Sequence, residues 1–183
     1  MNNYMKLELA ALSINESFAR NAVAAFALSL NPSLTELDDI KTAVSEAVTN
    51  CIVHAYKKRK DEGKIVIECQ TAEEEHGGAL HITVTDFGCG IHDVEKAVMP
   101  FFTTLIDEER SGMGFTIMQT FMTEFSLSSE RGKGTVVTMR KDIEGEKEAG
   151  IEQEIRRNFQ GEGMATHFSD GTKNTQNKER VDA

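Results

Sequence analysis

The chain has 183 residues, enough for one domain of ordinary size and a tail, because domains usually span about 100 to 150 residues. Its net charge of −10 at pH 7 argues against nucleic-acid binding, since neutralising a phosphate backbone requires clustered lysine and arginine. No apolar run approaches the roughly 20 residues needed to cross a bilayer, and the N-terminus lacks the layout of a secretion signal, so we expect a cytoplasmic protein without a membrane segment.

The three cysteines support neither a disulfide framework nor a zinc site. They leave one thiol over, and no two of them show the paired spacing of a metal site. Cys51 and Cys69 lie in apolar segments and are predicted to be small core residues, whereas Cys89 lies in a glycine-rich loop.

The first thirty residues predict a strand followed by a helix. Residues 5–11 alternate apolar and polar side chains, which is typical of a strand. Asn15 is a candidate N-cap for the first helix, whose apolar residues recur at helical spacing until Asn31-Pro32 ends the run.

A second helix is predicted after this break. Either Ser33 or Thr35 caps it, because Glu36 or Asp38 stands three residues later and completes a capping-box pattern. Its apolar residues continue to near Tyr56.

The next segments predict two hairpins with a helix between them. Residues 64–71 and 79–87 each alternate apolar and polar residues around the turn signal Gly77-Gly78, as in an antiparallel hairpin. Further along the chain follow a helix at about 114–125 and a second hairpin of residues 125–129 and 135–140.

This order of elements predicts an α+β fold, a two-layer sandwich with helices on one face of a mixed, mostly antiparallel sheet. We assign residues 1–141 to this domain. Residues 142–183 are polar and broken by glycine, and we predict that this C-terminal tail is disordered.

The second helix carries a polar pair within a largely apolar surface. Glu46 and Asn50 are four residues apart and therefore lie one above the other on the same face. Taken alone, such a pair is most often an exposed polar face. If the helix is buried, however, both side chains require partners.

Two glycine segments supply candidate partners. Asp86 ends a predicted strand, and Gly88 and Gly90 follow it at alternate positions, where missing side chains allow a ligand close to the backbone. Gly112 and Gly114 begin a predicted helix, whose free N–H groups and dipole favour a bound phosphate. One such loop is usually a turn, but two of them together with the Glu46–Asn50 helix in one small domain predict a ligand site.

The motifs E-x-x-x-N, D-x-G-x-G, G-x-G and a late G-T resemble the ATP-binding fold shared by gyrase B, Hsp90, sensor histidine kinases and MutL. More closely, N-E-S-F-A-R, V-S-E-A-V-T-N, F-T-T and E-R-S-G-M-G-F-T-I-M resemble the anti-sigma F factors of sporulating bacteria, serine kinases that also hold a sigma factor. The likeness covers about residues 5–141, and the tail has no counterpart in it.

The resemblance implies a role for each of these residues. Asp86 would accept a hydrogen bond from the adenine amino group, and Thr135 would support the same base edge directly or through water. Asn50 would be the protein ligand of Mg²⁺, and Glu46 would orient and deprotonate the attacking hydroxyl. The remaining nucleotide contacts would come from Gly88, Gly90, Ser111, Gly112 and Gly114.

Residues 92–111 are predicted to form a lid over the phosphates. Thr103 and Thr104 are candidate hydroxyl donors, and Arg110 is the only cation from Phe101 to Gly112, which suits it to stabilise the transferring charge. Members of the resembled family tend to carry a basic residue and proline after F-T-T. Here Leu105 and Ile106 follow instead, which leaves a second phosphate contact at that point open.

The implied function is that of an ATP-dependent protein serine kinase and anti-sigma factor. It would bind a sporulation sigma factor, phosphorylate the anti-anti-sigma antagonist on serine, act as a homodimer, and use Arg20 of the first helix to meet its partners.

Three alternatives stay open. The chain could be a sigma-sequestering module in which nucleotide sets the lid and Glu46 is dispensable, or the stress-response relative of the same kinase family. A detached sensor-kinase ATPase would need a partner histidine domain, and five scattered histidines give it little support. The presence of Glu46 beside Asn50 favours the kinase.

Overall fold

The computed structural model describes residues 3–56, 63–74, 77–101 and 112–144. The strands in these ranges are β1 (Tyr4–Ala10), β2 (Lys64–Glu74), β3 (Gly77–Asp86), β4 (Glu124–Glu130) and β5 (Gly134–Ile143). The α-helices are α1 (Ile14–Ala27), α2 (Leu34–Asn50), α3 (Val94–Ala97) and α4 (Gly114–Phe121), with a 3₁₀ turn at Leu28–Leu30 and a π-helical turn at Cys51–Ala55. Nearly all of the predicted tail lies outside the described residues.

The five strands form one sheet in the order β1-β2-β3-β5-β4, and all four pairings are antiparallel. The predicted α+β sandwich is confirmed, and the two predicted hairpins are the pairs β2–β3 and β4–β5. The sheet was expected to be mixed, but no parallel pair occurs among the described strands.

The core lies between the helices and one face of the sheet. Alternate residues of the central strands point toward the helices and are fully buried, among them Ile65, Ile67, Leu80, Ile82 and Met139. The helix α2 packs against them with the buried side chains of Ile40, Val44 and Val48. The other face of the sheet carries exposed polar side chains, including Lys6, Gln70, His81 and Thr138. The structure therefore has two layers, as period-two alternation requires.

The N-terminus of α2 is closed by Ser33, which decides between the two caps that the sequence left open. Its hydroxyl accepts the Glu36 N–H at 3.3 Å, while its own N–H donates to the Glu36 carboxylate at 2.7 Å. The other carboxylate oxygen of Glu36 accepts the Glu144 N–H at 2.9 Å, which ties the end of β5 to the start of α2. Burial raises the pKa of the Glu36 carboxyl, but the hydrogen bonds that the carboxylate accepts from the Ser33 hydroxyl, the Ser33 N–H and the Glu144 N–H outweigh burial and lower it.

Three local predictions were wrong. The N-cap of α1 is Ser13, and the Asn15 amide instead donates to the Ala10 carbonyl at 2.8 Å. The helix α4 ends at Phe121 rather than near 125, because Met122 turns to extended geometry and Thr123 N–H pairs with Arg140 O. Gly77 and Gly78 begin β3 instead of forming the turn.

Within the described ranges, no helix has both the length and the apolar character needed to span a bilayer.

The capping box gives a test of the fold. We expect Ser33→Ala to lower the free energy of unfolding by about 1 kcal/mol, because it removes the acceptor of an orphan helix N–H. Thr35→Ala, at the exposed alternative cap, is the matched control and should change it by less than about 0.5 kcal/mol. Urea denaturation of both variants measures the difference, and a larger loss from Thr35→Ala would contradict this account.

Candidate functional site

The polar pair of α2 lies against the start of α4. Asn50 is the last residue of α2, and Glu46 stands one turn before it. A Cβ atom at Gly114 would lie 2.9 Å from Glu46 Oε2 and 3.3 Å from Asn50 Nδ2, so any larger residue would push the ends of these two side chains aside. The glycine therefore allows the first turn of α4, with its free N–H groups, to approach the carboxylate and the amide. The Glu46–Asn50 pair and the Gly112–Gly114 segment are thus brought together.

Asp86 is the buried carboxylate of the site. It is the last residue of β3, its side chain is 4% exposed, and its Oδ1 accepts the Gly88 N–H at 2.9 Å. Burial raises the pKa of Asp86 above its ordinary value, against the opposing effect of hydrogen bonds from Gly88, Thr135 and Cys51. The carboxyl group is thus held by its own loop, by β5 and by the end of α2.

Cys51 links Asp86 to the end of α2. It follows Asn50 directly and is buried, as predicted for a core residue. Burial and the neighbouring Asp86 carboxylate raise the pKa of this thiol far above its ordinary value, so it stays protonated and donates to Asp86. No sequence pattern indicates this contact, because the two residues lie 35 positions apart.

The loop after Asp86 rests on the π-helical turn that continues α2. Cys89 N–H donates to the Ala55 carbonyl at 2.8 Å, and a Cβ atom at Gly88 would lie 2.2 Å from the same oxygen. The hydroxyl of Tyr56 accepts the Phe87 N–H at 2.8 Å and donates to the Lys64 carbonyl. Tyr56 is a site-supporting residue that sequence reasoning missed.

The hairpin β4–β5 holds the same loop from the other side. Ile91 N–H donates to Ser129 Oγ at 2.8 Å, and Gly132 N–H donates to the Cys89 carbonyl at 2.8 Å. Ser129 also lies 3.0 Å from Thr135 Oγ1, and Thr135 stands opposite Asp86 in the β3–β5 register. The structure therefore brings Thr135 and Asp86 together. Ser129 was missed as well.

The described residues contain only part of the predicted phosphate lid. Residues 92–101 include the short helix α3, and Phe101 has a positive φ of 64°. Gly112 and Gly90 have φ of 66° and 67°, which glycine adopts without strain. Thr103, Thr104, Arg110 and Ser111 lie outside the described residues, as do Leu105 and Ile106.

Arg20 lies apart from these motif segments, on α1. Its Nε is 3.6 Å from Glu16 Oε1, and the same carboxylate oxygen accepts the Ser45 hydroxyl at 2.7 Å. Ile14 and Phe18 are exposed on the same helix. Arg20 is thus half-exposed, and the two exposed apolar side chains lie on another side of α1.

The chain is similar to known proteins over nearly all of the described part. Residues 9–141 match the family described as the histidine kinase-like ATPase domain. The anti-sigma F factor of Caldanaerobacter subterraneus subsp. tengcongensis is 54% identical over 142 residues, which cover 78% of this chain and 95% of that protein. The anti-sigma F factor of Clostridium acetobutylicum is 49% identical, covering 77% and 94% of the two chains.

A solved structure shares the fold. The crystal structure of the RsbU and RsbW domains of a Mycobacterium tuberculosis protein superposes with a TM-score of 0.53 at 17% identity. The alignment covers 77% of this chain and 32% of that one. At this identity the likeness supports the architecture alone.

The raised pKa of Asp86 predicts a pH signature. Because the native state holds this proton more tightly than the unfolded state, the free energy of unfolding falls as pH rises from the ordinary aspartate value, about 3.9, through the raised value. Asp86→Asn removes that titration, so the stability of the variant relative to the unmodified protein should increase with pH across this interval.

Asp93→Asn is the matched control for this pH signature. A hydrogen bond and ion pair with Lys96 lower the pKa of Asp93, so the relative stability of that variant should decrease as pH rises. Urea titrations between about pH 2 and about pH 8 measure both slopes, that of Asp93→Asn below the ordinary aspartate value and that of Asp86→Asn above it. A pH-independent difference for Asp86→Asn would contradict the expected shift.

Proposed function

The chain belongs to the anti-sigma F factors, within the histidine kinase-like ATPase family, and from this premise we propose that it is an ATP-dependent protein serine kinase. Its two partners are a sigma factor, which it holds, and the anti-anti-sigma protein, which it phosphorylates on serine. The observation that carries this proposal is the contact of Gly114 with Glu46 and Asn50, since it sets a carboxylate and an amide beside a helix N-terminus.

Asp86 and Thr135 bind the adenine base. The buried carboxylate accepts a hydrogen bond from the exocyclic amino group, and Thr135 lies beside it on β5. A buried acceptor of this kind favours adenine over guanine, which carries an oxygen acceptor at the same ring position and would leave the carboxylate unpaired.

The phosphates approach the glycine segments. Gly88 and Gly90 form the loop beside the base, while Gly112 and Gly114 lead into α4, whose eight residues present free N–H groups and a positive dipole end. Ser111, Thr103, Thr104 and Arg110 are proposed to complete the phosphate contacts, with Arg110 acting on the transferring charge.

Mg²⁺ is proposed to bind at Asn50. Its amide oxygen is a ligand type that Mg²⁺ prefers, and the missing side chain of Gly114 leaves room beside it. No group of three or more His, Cys, Asp and Glu side chains suited to a metal occurs among the described residues. This fits an ion held mainly by phosphate oxygens and water. When bound, it neutralises phosphate charge.

Glu46 is the proposed base. Phosphoryl transfer has a loose transition state, so the carboxylate mainly orients the attacking serine hydroxyl in line with the γ-phosphate and takes up its proton. A pocket that only binds nucleotide needs no carboxylate in this position. This favours a kinase over the sigma-sequestering module, in which Glu46 would be dispensable. The stress-response relative of the family is the other alternative.

The partners are proposed to meet the surface around Arg20. This arginine is half-exposed and lies 3.6 Å from a carboxylate oxygen of Glu16, so its guanidinium is available to a partner. Ile14 and Phe18 are also exposed on α1, although on another side of the helix from Arg20. We further propose a cytoplasmic homodimer, on the basis of the family alone.

Glu46→Gln tests the kinase. With Mg²⁺, radiolabelled ATP and a candidate anti-anti-sigma protein, we expect phosphoserine formation to fall by at least about 100-fold while ATP affinity changes little, since the amide keeps the shape but cannot accept the proton. Thr42→Ala, one turn earlier on α2, should transfer normally. If Glu46→Gln leaves transfer unchanged, Glu46 is not the base. If the unmodified protein transfers nothing but binds a sigma factor in an ATP-dependent way, the sequestering module is correct.

Arg20→Glu tests the partner surface. The charge reversal should weaken binding of the sigma factor or of the anti-anti-sigma protein by about tenfold, measured by calorimetry with each purified partner. Lys41→Glu introduces the same charge change on α2 and should leave both affinities intact. Unchanged binding of both partners by Arg20→Glu would remove Arg20 from the interface.

A further inference from the structure

We propose that Lys141 is a positioning residue that fixes α4 along its own axis, and so holds the start of α4 at the distance from Glu46 that phosphoryl transfer requires. The inference rests on the proposed kinase function. It concerns a side chain of β5 that contacts the end of α4 opposite to the proposed phosphate contacts, and that would not touch the nucleotide itself.

Lys141 joins three elements of the fold. Its Nζ donates to Asp39 Oδ2 on α2 at 2.8 Å and to the Phe121 carbonyl at 2.7 Å. Phe121 is the last residue of α4, so its carbonyl is one of the four that have no partner within the helix. The side chains of Lys141 and Asp39 are only 14% and 23% exposed, so solvent screens this ion pair less than it screens a surface pair.

The helix α4 depends on other elements for a cation at its end. None of its eight residues is charged, whereas the carbonyls at a helix C-terminus and the negative end of the dipole favour a positive group. Lys141 supplies that group from β5. Because peptide carbonyls lie roughly parallel to the helix axis, its hydrogen bond to Phe121 restrains α4 along this axis.

Apolar packing does not supply the same restraint. Met118 within α4 and Met122 directly after it are buried in the core, which keeps the helix against its neighbours. Apolar contacts are non-directional, however, and packed helices slide past one another by small shear movements. The directional contact of Lys141 opposes such sliding.

Both ends of α4 are thereby attached to one face of α2. Asp39 stands seven residues before Glu46, which is about two helical turns, so the two carboxylates share a face. The start of α4 lies against that face through Gly114, and its end is attached to it through Lys141. A misplacement of about 1 Å costs a catalysed reaction up to about 100-fold in rate, so the axial position of α4 matters for transfer.

The experiment compares phosphoserine formation at saturating ATP with the dissociation constant of ADP, both on the full chain. We expect Lys141→Met, which keeps the length of the side chain but removes the ammonium group, to lower the transfer rate by about tenfold and to change ADP binding by less than about threefold. Lys141→Arg keeps the charge and the donors, and should restore most of the rate. Lys6→Met removes an exposed ion pair with Glu68 on β1 and is the matched control, which should change neither quantity.

A double-mutant cycle tests whether Lys141 and Asp39 act together. Asp39→Ala should also lower the transfer rate, and adding Lys141→Met to it should lower the rate by less than the product of the two single effects. If Lys141→Met fails to fold, Asp39→Ala takes its place in both measurements. Fully multiplicative effects of the two changes would contradict a shared contact.

Amide hydrogen exchange gives a readout that needs no kinase activity. Lys141→Met should speed exchange within α4 by about tenfold and leave β3 unchanged, whereas a general loss of stability would speed exchange in both elements. Unchanged exchange in α4, or equal losses of transfer and ADP binding that Lys141→Arg does not restore, would overturn the inference while leaving the kinase intact. An unmodified protein that forms no phosphoserine would overturn the proposed kinase and this role of Lys141 with it.

Discussion

The hydrogen bonding of the buried Asp86 carboxylate is the interaction on which the rest of the site depends. Removing a charge from water is costly unless donors replace the lost solvation. Here the donors come from three elements, Gly88 in the following loop, Thr135 on β5 and Cys51 at the end of α2. The pKa of Asp86 is nevertheless raised, so these donors offset the burial only in part. The group is retained at a cost to stability, which is typical of a binding residue.

Close packing of backbone against backbone explains why glycine stands at two positions of the loop after β3. This loop must lie against the backbone of Ala55 on one side and of Glu130 on the other, where Cβ atoms at Gly88 and Gly90 would come within 2.2 Å of carbonyl oxygens. Its backbone groups then pair with Ala55, Ser129 and Gly132. The glycines thus serve the packing of the loop as well as any approach by a ligand, and both demands exclude a larger residue.

The sequence predicted the elements and the motif residues because both are local patterns. Period-two alternation identified β2 and β3, and four-residue spacing identified the pair Glu46 and Asn50. Tyr56 and Ser129 were missed because their roles exist only in contacts between residues far apart in the sequence. Tyr56 meets Phe87 from 31 positions away, and Ser129 meets Ile91 from 38. The π-helical turn was also missed, since its wider hydrogen bonding has no signature in composition.

The helix α2 links the proposed partner surface to the proposed catalytic residue. On one side, Ser45 donates to Glu16, and that same carboxylate oxygen lies 3.6 Å from Arg20 on α1. On another side, Glu46, the next residue, faces Gly114 at the start of α4. One side chain, Glu16, therefore joins Arg20 to Ser45, the residue directly before Glu46. The helix α2 is packed into the core through Ile40, Val44 and Val48. The surface around Arg20 and the site at Glu46 are therefore attached to the same close-packed helix.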